Sequence, residues 1–175
     1  MKALAAALLA FVAACGQGKV ILNVDVLSFL SASDSTKPYL IPGGVGPIDS
    51  TISRRFTMPP GFGNSSVDSV TATVASLLEN STGGGDVILE VFFAQTQGGL
   101  FTGTPFLADS SGPVSGVQTV PLGKTTLPLS DPIFNSDSLW VGIRARITTN
   151  AGPAMSGQLR FTDIHLRIVL QDNIL

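Results

Sequence analysis

The 175-residue chain has one cysteine, one histidine, one tryptophan and one tyrosine, and only 13% of its residues are charged. Each shortage removes a class of function. A lone Cys and a lone His cannot supply the three or four nitrogen and sulfur ligands that zinc takes, and one thiol closes no disulfide within the chain. His165 is the only imidazole available as a base, and no Gly-x-Ser-x-Gly turn offers it a serine. Gly123-Lys124-Thr125 lacks the glycine six positions before the lysine, where Gln118 stands, so it is not a phosphate loop. Ten Lys and Arg against twelve Asp and Glu give a net charge of −2. With no basic stripe, nucleic acid is excluded as a partner. Beyond the first fifteen residues no apolar run approaches the ~18–20 residues of a membrane-spanning helix.

What is present begins with the leader. Lys2 is followed by an apolar run of Ala, Leu, Phe and Val that ends in Val12-Ala13-Ala14-Cys15. A cationic start, a short apolar stretch and small residues before a cut site are the pattern of a secretory signal. With the cysteine directly after the small residues, this segment resembles the lipobox of bacterial lipoproteins. The resemblance implies cleavage before Cys15, lipidation of its sulfur and a mature chain that starts there. It also implies a membrane partner through the N-terminal lipid: one acyl chain holds only marginally, at roughly 0.8 kcal/mol per buried CH₂, whereas two or more anchor stably. Gly16 rather than Asp follows the cysteine, which in double-membraned bacteria implies transfer to the outer membrane. The expected organisation is a signal peptide at 1–14, a lipidated tether at 15–19 and one domain at 20–175.

Within that domain the apolar pattern has period two. Val20, Leu22, Val24 and Val26 alternate with Asn23 and Asp25, which predicts a half-buried strand over 20–30. The Pro- and Gly-punctuated stretch 31–50 reads as a surface loop. A strand follows at 51–58, where Arg54 falls on the same side as Ile52, Phe56 and Met58 and needs a partner or a bulge. Residues 66–79 fit a helical stripe as well as alternation, but their Thr, Val and Ser content favours a strand. Asn80 to Asp86 reads as a hairpin loop into a strand at 87–95. Short strands are expected near 105–108, at 117–122 and at 125–129. The clearest alternation is at 138–148 and 158–170. About eight strands and no sustained amphipathic helix predict an all-β fold, a two-sheet antiparallel β-sandwich of jelly-roll type.

The candidate chemistry is sparse. Glu90 and the scattered aspartates do not pair in the manner of a glycosidase, and mid-strand acids such as Asp25 commonly pair across strands, here with Arg167 if the first and last strands are neighbours. Asp131, Asn135 and Asp137 put three oxygen-bearing side chains in one loop, the ligand type of calcium. They lack the spacing and glycine of an EF-hand, and Asp and Asn cap turns for local reasons, so no metal and no cofactor is assigned. Trp140, Arg144 and Arg146 share the outward side of 138–148, with Gly142 leaving a gap between indole and guanidinium groups. An exposed indole is a platform for a sugar ring, and arginines offer planar donor forks. His165 and Arg167 would extend this stripe if 158–170 is the neighbouring strand. The competing reading is that a loop covers Trp140 and the arginines pair with Glu90, Asp163 and Asp25. No enzyme is expected. The chain reads as an exported, membrane-anchored envelope lipoprotein with a structural or assembly role, with a polysaccharide-binding module on the Trp140 face as the alternative.

Overall fold

The computed structural model of the protein describes residues 17–57, 66–136 and 138–173. Its strands are β1 (Gln17–Asp25), β2 (Thr36–Ile41), β3 (Ile48–Thr57), β4 (Ser66–Thr82), β5 (Gly84–Ala94), β6 (Leu107–Ser110), β7 (Val114–Ser115), β8 (Gln118–Thr125), β9 (Ser138–Thr149) and β10 (Met155–Asn173). Sheet A has the order β1-β10-β4-β8, with β2 also paired to β10; sheet B has the order β3-β9-β5-β6, with β7 also paired to β5. All pairings are antiparallel. The chain passes repeatedly from one sheet to the other, which makes the fold an eight-stranded jelly-roll sandwich with β2 and β7 as short additions.

Period-two alternation builds the core directly. Leu139, Val141, Ile143, Ala145 and Ile147 of β9 face inward with Val87, Leu89 and Val91 of β5. They meet Leu159, Phe161, Ile164, Leu166 and Ile168 of β10 and Val70, Val74 and Leu78 of β4. Residues 66–82 form one strand, so their Thr and Val content outweighs the helical spacing of Val67, Val70, Val74 and Leu78.

Several boundaries differ from expectation. The first strand stops at Asp25, and Leu27–Phe29 is a 3-10 turn. The stretch read as a loop at 31–50 holds β2 and the start of β3. Pro38 is accommodated because β2 is an edge strand paired only with β10. Residues 117–122 and 125–129 are not two strands, since β8 runs through Gly123 and Lys124. The expected hairpin at Asn80–Asp86 is a corner: β4 lies in sheet A, β5 in sheet B, and Gly83 alone joins them. Gly83 has φ +68°, and a Cβ there would lie 2.4 Å from the carbonyl oxygen of Ala154. A glycine-rich turn serves a hairpin and a corner equally well, so its composition does not tell them apart.

Arg54 does point between the sheets, opposite Val141, and it has a partner. Ser31 caps a single helical turn, Ala32–Ser35, whose Asp34 forms an ion pair with Arg54. Lys37 on β2 lies 2.9 Å from the other Asp34 oxygen. A carboxylate on the β1–β2 connection thus ties β2 of sheet A to β3 of sheet B along the open side of the sandwich. Met58 of the expected strand lies outside the described residues.

Candidate functional site

The five side chains read as one ligand face divide between the two sheets. Trp140, Arg144 and Arg146 are on β9 in sheet B, and His165 and Arg167 are on β10 in sheet A. The connection at 150–154 carries the chain across the sandwich, and the outer faces of the sheets point in opposite directions. A continuous stripe therefore does not form. Alternation gives the face of a side chain, but not the sheet to which its strand belongs.

On sheet B the gap at Gly142 is occupied. The loop between β5 and β6 folds back over it, and a Cβ at Gly142 would meet Leu100 Cδ2 at 2.6 Å and Phe101 Cε1 at 2.8 Å. Leu100 is buried with Phe92 and Ala94, and Phe101 and the half-buried Trp140 pack against them. Thr96 starts this loop by accepting a hydrogen bond from Gly99 N in a 3-10 turn. Phe92 and Phe101 meet edge to face with centroids 5.3 Å apart.

The arginines of this face are engaged by carboxylates. Arg144 Nε donates to Glu90 Oε2 at 2.6 Å, and its guanidinium carbon lies 4.7 Å from the centre of the Phe92 ring. Asp49 on β3 lies 3.9 Å from Arg144 Nη1 and accepts from Arg146 Nε at 3.1 Å. That hydrogen bond and the Asp49 charge raise the Arg146 pKa above its usual value. Chemically this is a filled face. Glu90 is buried and already paired, and each arginine faces a protein carboxylate through its Nε.

Sheet A is more open on its outer side. The first and last strands are neighbours, but the register places Asp25 opposite His165 and Asn23 opposite Arg167. Asp25 accepts from Ser28 N at 3.2 Å instead of pairing with Arg167. His165 Nδ1 contacts Asp163 Oδ1 on its own strand. Thr73, opposite His165 on β4, shares a 3.0 Å hydrogen bond with Thr125 of β8. Arg167 is exposed and makes no ion pair among the described residues.

The Asp34 cluster could not be assembled from sequence, although the inward side of Arg54 pointed to a missing partner. Hydrogen bonds from Lys37 and Ser31, followed by the charges of Lys37 and Arg54, hold the Asp34 carboxyl below its ordinary pKa of 3.8. Between the β1 and β3 edges is a cavity of about 280 Å³ lined by Leu22, Val24, Phe29, Phe56, Val141 and Leu166 among others. Among the described residues no ionisable side chain lines this cavity. Asp131 Oδ1 accepts from Ile133 N at 2.9 Å and caps the turn Pro132–Asn135. Asp137 and the side chain of Asn135 lie outside the described residues, as do residues 1–16 with Cys15. Among the described residues no three His, Cys, Asp or Glu side chains are grouped to hold a metal ion.

No protein-family model matches the chain, and no curated protein matches it. Among solved structures it is similar to that of infectious bursal disease virus Gx strain, at 8% identity and TM-score 0.49, over 91% of this chain and 39% of that one. The Gt strain of the same virus gives 12% identity and TM-score 0.46, over 90% and 38%. The chain thus spans about two-fifths of the length of the viral chains it matches. A structure of TmCBM61 in complex with β-1,4-galactotriose gives 9% identity and TM-score 0.36, over 86% of both chains.

Proposed function

We propose that this is a lipid-anchored protein of a bacterial envelope, in which the β-sandwich serves structure or assembly rather than catalysis. The observation that carries the proposal is the position of Cys15. The cysteine ends the Val12-Ala13-Ala14-Cys15 segment and stands two positions before Gln17, the first residue of β1. Lipid at that sulfur would place the domain against a bilayer on almost no linker. The filled outer face of sheet B supports a supporting rather than a reacting role: its carboxylates and guanidinium groups are held against one another.

The test is detergent phase separation of the full chain produced in a bacterium that processes lipoproteins. Wild type is expected in the detergent phase and Cys15→Ala in the aqueous phase. Equal partition of the two into water would refute the anchor.

A further inference from the structure

We infer that the first half of β1 rests on the lipid surface, an inference that stands on the lipoprotein reading above. Two residues of extended chain reach about 7 Å, so acyl chains at Cys15 would hold Gln17 close to the headgroups. β1 is an edge strand there, paired with β10 on one side only. Val20 and Ile21 are 43% and 50% exposed. Successive residues of a strand point to opposite faces, so the two present apolar surface on both sides of the same edge. Lys19, whose side chain is 62% exposed, adds an ammonium group beside them, 2.9 Å from Asp68.

Apolar side chains beside the Lys19–Asp68 ion pair match the interfacial layer of a bilayer, which buries hydrocarbon and leaves charged head groups in water. The occupant is lipid rather than a second copy of the chain, because a tether of this length brings the bilayer to this edge before any partner arrives. The opposite end of the sandwich, with Gly83 and the 150–154 connection, then points away from the membrane. Ser66 and Asn80 lie at the two ends of that distance, about 45 Å apart along β4. Val117, 89% exposed beside Gln118, the partner of Asn80, marks the far end.

The experiment uses the full chain purified from membranes and placed in vesicles of phosphatidylethanolamine and phosphatidylglycerol. A lipidated Cys15 carries no thiol, so a dye attaches only to an introduced cysteine: Ile21→Cys or Lys19→Cys near the anchor, Val117→Cys far from it. Nitroxide-bearing lipid is expected to quench the dye several-fold more strongly at positions 19 and 21 than at 117. Equal quenching at both ends, or none at 19 and 21 in vesicle-bound protein, overturns the seating and leaves the anchor standing. Chain that does not bind vesicles and carries unmodified Cys15 overturns the anchor and the seating together.

Discussion

Glu90 and Arg144 hold one another on the outer face of sheet B, with side chains only 9% and 13% exposed. Removing one partner of such a pair strands the other charge away from water, at a cost of about 3 kcal/mol. Glu90→Ala is therefore expected to lower stability by up to that amount in urea unfolding, less whatever Asp49, 3.9 Å from Arg144 Nη1, offsets, with Glu90→Gln milder because it retains a carbonyl acceptor. Gly142 is the neighbouring pressure point. A Cβ there collides with Leu100 and Phe101, and overpacking of this kind costs about 1–3 kcal/mol. Gly142→Ala should lift the covering loop and red-shift the emission of the single tryptophan, Trp140; an unshifted spectrum would show that the loop gives way elsewhere. Tyr39, also unique in the chain, donates its hydroxyl to Asn80 Oδ1 at 2.9 Å. Burial pushes its pKa up from 10.0 to about 12. The unfolded chain ionises first, so this contribution to stability is complete below pH 10 and is lost as the pH rises towards 12. An ultraviolet titration of the native protein should find the phenolate midpoint near 12, not near 10.

At the scale of elements, the edges of the sheets explain side chains that alternation alone leaves awkward. An inward-pointing charge on an edge strand discourages pairing with another chain, and Arg54 on β3 is such a charge, satisfied by Asp34. On the opposite edge, β8 carries Pro121, which has no N–H, and Asp109 accepts from Gly123 N at 2.8 Å. Because the Asp34 pKa is depressed, the unfolded state binds the proton more readily. The clasp therefore stabilises the protein fully above about pH 4 and fades as the pH falls through the native value. Asp34→Asn should flatten the acid limb of the stability profile relative to wild type; an unchanged limb would assign it to other carboxylates. The strands of the core were legible because the inward residues recur at every second position over Leu139–Ile147 and Ile164–Ile168. Crossings between sheets were not. Gly83 looks the same in a hairpin and in a corner, Pro38 hides an edge strand, and nothing local places β9 and β10 in different sheets. The candidate face was legible by side, so Trp140, Arg144 and Arg146 do share one, whereas the loop over Gly142 and the Asp49 contacts depend on residues far away in sequence.

At the scale of the whole molecule, two packed sheets form a body in which the outer face of sheet B is filled and that of sheet A is more open, and the first strand begins two positions after Cys15. If the sandwich serves assembly, soluble envelope polysaccharides should leave Trp140 fluorescence unchanged across a titration; a saturable shift would instead favour a glycan-binding module. The central claim remains the anchor, and one intact mass decides it. Protein extracted from bacterial membranes is expected to begin at Cys15 and to be heavier than its polypeptide by a diacylglyceryl group, with or without an amide-linked acyl chain. A mass equal to the bare polypeptide, with a free thiol at Cys15, would contradict the account.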